Sequence, residues 1–166
     1  MRGFLRYTAS MNPKDALEAS AKWLKEMEAA KRLTLKVGLP SDKVGGKVYG
    51  GGTSIITVGA THEYSSPTSP ARSFLRMPFE VKRKEIDTAI QNQFANVIDG
   101  KMSAEDALNR VGVIATNISK EAFRTNGYGR WAPLAEITKV RKVKAGKTTT
   151  LIWSGLLRGA ITWSVS

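Results

Sequence analysis

The stretch "RLTLKVGLP", residues 32–40, decides the class of fold. Leu33, Leu35, Val37 and Leu39 alternate with Arg32, Thr34, Lys36 and Gly38, the period of two of a strand with one buried face, and Pro40 ends it. The end of the chain, "LIWSGLLRGAITWSVS" (151–166), offers this strand a partner. There Ser154 is placed to cap a single helical turn, after which Ile161, Trp163 and Val165 alternate as a second strand, expected to pair with residues 32–39.

Helices fill the space between. Asn12-Pro13 reads as a cap and first turn, with Asp15 favourable to the helix dipole, and Leu17, Ala21, Leu24 and Met27 recur at helical spacing beside Trp23. Residues 13–31 are therefore an amphipathic helix whose stripe needs a partner surface. Residues 41–53 hold five glycines and read as a loop or mobile hairpin; the lysine and Ser or Thr offsets of a phosphate cradle are missing. In "TSIITVGATHEY" (53–64) β-branched residues favour a strand, but Ile55, Ile56, Gly59, His62 and Glu63 line one helical face, and a short helix is expected. Pro78 is placed to begin a core helix with Phe79, Ile86, Ala89, Ile90, Phe94, Val97 and Ile98 as its stripe, stopping at Gly100. Ser103 and Asp106 form a capping box for another, carrying Leu108, Val111, Ala115, Ile118, Ala122 and Phe123 to a left-handed stop at Asn126-Gly127. After Trp131-Ala132-Pro133-Leu134 comes a basic connector with Lys139, Arg141, Lys142, Lys144 and Lys147, expected to be mobile over about 135–150. The whole, 1–166, reads as one α+β domain: an N-terminal helix, a small antiparallel sheet, two long consecutive helices and a C-terminal strand.

Lys and Arg number 26 against 14 Asp and Glu, a net charge of +12, which favours a polyanionic or acidic partner. Cysteine is absent, so disulfides, thiolate metal sites and thiol nucleophiles are excluded. No stretch approaches the roughly 18 apolar residues of a membrane span, and the opening lacks the apolar core of a signal peptide, so an intracellular, soluble product with no membrane partner is expected. The one histidine, His62, sits beside Glu63, but neighbours in a helix point about 100° apart and do not share a substrate. With no nucleophile and base in register, no metal-ligand spacing and no cofactor motif, no enzyme activity, metal or cofactor is expected.

What remains is "THEYSSPTSPARSFLR" (61–76). Pro67 and Pro70 fix φ and bias Ser66 and Ser69 towards extended backbone, which predicts a stiff extended strap. Phe74 and Leu75 would plug apolar surface at its far end, flanked by Arg72 and Arg76, with Glu63 as an ionic partner.

These residues resemble the virion-morphogenesis or tail-completion proteins of tailed bacteriophages. That family's "A-x-x-x-E-F-G" followed by "P-A-R-P-F-L-R-P" is similar to Ala60, Glu63 and Tyr64 followed by Pro70, Ala71, Arg72, Ser73, Phe74, Leu75 and Arg76. A later tryptophan-proline turn, basic stretch and "L-I-x-[ST]-G-x-L-x-x-[SA]-I" looks like Trp131, Pro133, the lysine-rich connector and Leu151 through Ile161. Ser65 stands where the family usually has glycine, Ser73 where it has the second proline, Met77 at an expected proline-neighbour position and Ala160 where serine is commoner. Residues 1–59 share only a helix followed by a strand.

The resemblance implies a structural α+β subunit of the virion neck or tail, made in the host cytoplasm. It would assemble as a ring, expected to be a hexamer, that completes the tail and joins it to the DNA-filled head beside other neck, connector and tail-tube proteins. Glu63, Tyr64, Pro70, Arg72, Phe74, Leu75 and Arg76 are then candidate subunit contacts, docking on a neighbour or bracing the surface that docks. Lys139, Arg141, Lys142, Lys144 and Lys147 are candidates to meet DNA without base specificity, or an acidic ring. The alternatives are a tail terminator, a head-side connector, or a free nucleic-acid-binding protein stacking bases on Trp131 and Tyr128.

Overall fold

The computed structural model describes residues 12–67, 69–146, 150–151 and 155–166. Within them the chain is an α+β protein: helices around one two-stranded antiparallel sheet. Lys147 and the expected cap Ser154 lie outside the described residues.

β1 (Leu35–Gly38) pairs with β2 (Thr162–Val165) in the register Leu35 opposite Val165 and Val37 opposite Trp163. Reciprocal bonds between Thr34 and Ser166, at 2.6 and 3.1 Å, extend the ladder. The expected pairing of the two alternating segments is thus observed. The sheet lies on the long helix α6 (Ala104–Arg124), where Trp163 covers Gly112 so closely that a Cβ there would run into the indole, and its Nε1 donates to Asn109 at 3.0 Å.

α6 is the axis of the molecule. Ser103 caps it as expected, accepting from the Asp106 amide at 3.0 Å and donating to the Asp106 carboxylate at 2.8 Å. Its buried side chains link two clusters. Ala122 and Phe123 join Val44, Ile55, Phe74, Trp131, Leu157 and Ile161 at one end; Ala104 and Ala107 meet Val97, Met27, Ala30 and Leu33 at the other. Asn126 and Gly127 stop it in left-handed backbone, φ 50° and 66°.

Helix α1 (Pro13–Arg32) is capped by Asn12, which accepts from the amides of Lys14 and Asp15. It packs through Met27 and Ala30, and Glu26 accepts from the Ala104 amide at 2.8 Å. Its expected stripe is split by this arrangement. Leu17 is 72% and Leu24 56% exposed, because the body meets only the edge of the helix that carries Met27 and Ala30.

The segment expected as a loop over 41–53 begins with a single turn, α2 (Ser41–Val44), which buries Val44. A narrow hairpin follows, closed by the Tyr49 amide to Thr53 at 2.9 Å. Then comes α3 (Ile55–Tyr64), the short helix predicted.

The helix expected from Pro78 starts earlier and is broken: α4 (Arg76–Val81) and α5 (Arg83–Ile98) meet at Lys82. Pro78 has no N–H to offer the Phe74 carbonyl, which takes the Ser119 hydroxyl instead at 2.6 Å. α5 lies along α6 with only Val97 buried, while Ile90 and Ile98 remain exposed. It is a covering element, and the expectation of a core helix is corrected: one side rests on α6 and most of the rest faces water. Gly100 ends it with φ 70°.

The connector expected to be mobile over 135–150 contains a helix, α7 (Glu136–Lys144). Glu136 in its first turn and Arg141, Lys142 and Lys144 in its last suit the macrodipole, and Glu136 pairs with Lys139 at 2.6 Å. A single turn, α8 (Leu156–Ala160), leads into β2.

Candidate functional site: a carboxylate clamp

α3 begins at Ser54, whose hydroxyl accepts from the Ile56 amide, and turns Ile55, Gly59 and Glu63 into the core at four-residue spacing. The last of these is a carboxylate, 4% exposed. A buried charge is tolerable only when its lone pairs are filled, and residues 73–76 fill them. One oxygen accepts from the Ser73 hydroxyl (2.6 Å), the Arg76 amide (3.0 Å) and Arg76 Nε (3.1 Å). The other accepts from the amides of Phe74 (2.8 Å) and Leu75 (3.1 Å). Arg76 also donates to the Glu63 carbonyl at 2.9 Å and places its guanidinium 4.5 Å from the Tyr64 ring centre.

Glu63 thus does the work of a cap for α4, which has no side-chain cap of its own at Leu75. This explains the early start of the helix at Arg76. Burial pushes the Glu63 carboxyl up, but the bonds from Ser73 and the amides of Arg76, Leu75 and Phe74 outweigh it and hold the group below the usual carboxylate range.

A second set of bonds ties the same segment to the far side of the core. Arg72, 5% exposed, donates from Nε to the Ala132 carbonyl (3.0 Å) and from Nη2 to Pro133 (2.9 Å), while its amide donates to His62 (2.7 Å). Trp131 Nε1 donates to the Ser73 carbonyl at 2.8 Å. Phe74 packs against Phe123, centroids 5.5 Å apart, and Phe123 meets Trp131 edge-on at the same separation.

Several expectations are corrected here. The strap is not extended throughout: reciprocal bonds between Ser66 and Ser69, at 3.0 and 3.1 Å, close a turn with Pro67 in its second position. Phe74 does not plug another surface, since it is 1% exposed inside its own chain. Glu63 and Arg72 are likewise internal, so of the candidate contacts only Tyr64, Pro70 and Arg76 are exposed, with Leu75 half-buried. Trp131, 8% exposed, has no face for a base, which breaks the expected stacking pair. Of the basic candidates, Lys139, Arg141 and Lys144 are exposed, but Lys142 is 6% exposed and turned towards the body.

Sequence reading missed Ser119 and the Ala132 and Pro133 carbonyls as parts of this clamp. The available signal was a serine set among Ala115, Ile118, Ala122 and Phe123, where a hydroxyl on a buried face needs a nearby acceptor. His62 Nδ1 is buried without a partner among the described residues, and burial, then the Arg72 guanidinium, pushes its imidazole down. A depression of about 660 Å³ lies away from the clamp, between Lys47–Gly50 and Gly155–Gly159. Among the described residues no helix is long and apolar enough to cross a membrane.

Comparison with protein-family models, curated proteins and solved structures gives no match.

Proposed function

We propose that the chain is a structural subunit of a tailed-bacteriophage neck, which completes the tail and joins it to the DNA-filled head as a ring, and which makes and breaks no covalent bond. One observation carries this reading: the two sequence blocks that resemble the tail-completion family, though more than fifty residues apart, meet in one locking device. Glu63, Arg72 and Phe74 come from the first block, Trp131, Pro133, Leu157 and Ile161 from the second. Such convergence gives each shared residue a mechanical task.

The position where the family usually has glycine adds support. Ser65 has φ 79° and ψ 168°, backbone that glycine adopts without strain. A ring subunit needs two unlike faces that meet its neighbours, and a core locked in this way holds Tyr64, Pro70 and Arg76 at fixed positions on one of them.

The test is genetic and visual. Inactivating the gene in the phage genome that carries it should give filled heads beside unattached tails in electron micrographs of the lysate; intact virions would end the proposal. Tails of uncontrolled length would instead favour the tail-terminator reading.

A further inference from the structure

Helix α7 is packed inside out. Ile137, Val140 and Val143 recur at three-residue spacing and form a ridge along one side, yet they are 63%, 52% and 69% exposed, while Lys142 faces the body at 6%. Helices that serve only to close a fold turn the aliphatic stripe inward and the cation outward. The three aliphatic side chains thus face solvent on the side of the helix away from Lys142.

Lys139, Arg141 and Lys144 stand exposed around the ridge. Lys139, Arg141, Lys142 and Lys144 against Glu136 give α7 a charge of 4 − 1 = +3. We propose that α7 is a docking helix for a different protein, one that presents an apolar groove bordered by carboxylates. An aliphatic ridge at helical spacing is the shape that lies in such a groove, and a cationic rim selects a carboxylate border.

Charge decides against the other occupants. A second copy pairing through α7 would set +3 against +3 on chains that each carry +12. Nucleic acid would satisfy the cations through phosphate and leave the ridge uncovered. A bilayer surface is held by helices with aromatic or leucine faces, and α7 offers only three β-branched aliphatics. The proposal holds whether or not the chain belongs to a virion.

The experiment uses the full chain, labelled with a fluorophore, and a synthetic helical hairpin whose two helices leave a leucine-lined groove bordered by glutamates. Anisotropy titration should show saturable binding that weakens with added salt. Val140→Asp should weaken it about tenfold or more, and Arg141→Glu should do so at low salt, both with unchanged circular dichroism and melting. Val140→Ser serves if the aspartate variant fails to fold. No binding to the unaltered chain, or equal binding by the Val140 variants, overturns the proposal. So does a Val140-dependent affinity for phosphatidylglycerol vesicles or duplex DNA, or self-association that the same variants abolish.

Discussion

Residues 61–76 and 136–144 both mix cations with large apolar side chains, but they stand in opposite relations to the core. In the first, Phe74 is sealed at 1% exposure and Arg72 is buried against backbone carbonyls of 132 and 133. In the second, three aliphatic residues face water. The difference lies in what surrounds each segment. Residues 72–76 meet donors and acceptors from α3, α6 and the 131–133 turn, so the Phe74 amide and carbonyl and the Ser73 carbonyl find partners as they are drawn inward. The first segment is accordingly a part of the fold, and the second a feature displayed on it.

The comparison breaks most visibly at Phe74. If the first segment is a structural lock, Phe74→Ala should cost about 3–5 kcal/mol in urea denaturation, and Phe74→Asp should leave no folded subunit. The sequence alone suggested a plug, whose aspartate variant would remain a soluble, well-folded subunit that fails only in assembly. Recovering such a subunit would return Phe74 to the surface and dissolve the contrast.

Glu63→Gln should come next. An amide in that pocket turns an NH₂ towards donors that now bond a carboxylate, leaving at least one buried amide unfilled, at a cost of about 2–3 kcal/mol. Arg76, the partly exposed member of the pair, should lose less than about 1 kcal/mol on truncation to alanine. The gap between the two separates a buried carboxylate that organises backbone from the exposed cation beside it.

Much of this was legible in residue order. The strand pair, the capping box at Ser103, the stop at Asn126-Gly127 and the helix over 55–64 follow from period and capping chemistry, which act locally. Glu63 and Arg72 stand out in the sequence too, but their roles depend on contacts ten to thirteen residues away for Glu63 and sixty for Arg72, which no local pattern encodes. The charges of the 135–150 connector suggest a solvated loop, although Glu136 at the start and cations at the end also suit a helix. The stripe of α1 was read correctly as apolar, but the body beneath it extends only as far as Met27 and Ala30.

Acid sharpens the contrast, because the histidine and the buried carboxylate whose titration is shifted both lie in the first segment. His62 is pushed down by burial and by Arg72, so its contribution is present above its unfolded value, about 6.5, and is lost as pH falls through the lower folded value. Glu63 is also depressed, and its contribution is present above about 4.3 and lost as pH falls through its folded value. The urea midpoint should therefore be level above neutrality, dip gently in mild acid and fall further below about pH 4. His62→Gln should remove the gentle dip, and Glu63→Gln should shrink the later fall, to which Glu121, held down by its hydrogen bond from Arg124, also contributes. A midpoint that rises on acidification would contradict both assignments.

Ser65 offers a smaller effect of opposite sign. Its φ of 79° with ψ 168° strains any side chain, so Ser65→Gly should stabilise by about 1 kcal/mol, the relief exceeding the added freedom of the unfolded chain. Thermal melting reads this directly, and no gain would mean that the turn relaxes around serine.

The smallest expected change lies in α7. If the ridge is held outward for a partner, the isolated chain gains little from Ile137 or Val140, and Val140→Ser should change the unfolding free energy from urea denaturation by less than about 0.5 kcal/mol. The same substitution at a sealed aliphatic site such as Ile161, 1% exposed, should cost several times more. Equal costs at the two sites would mean that α7 folds its aliphatic face inward in solution, and the contrast between lock and displayed helix would fail at its weaker end.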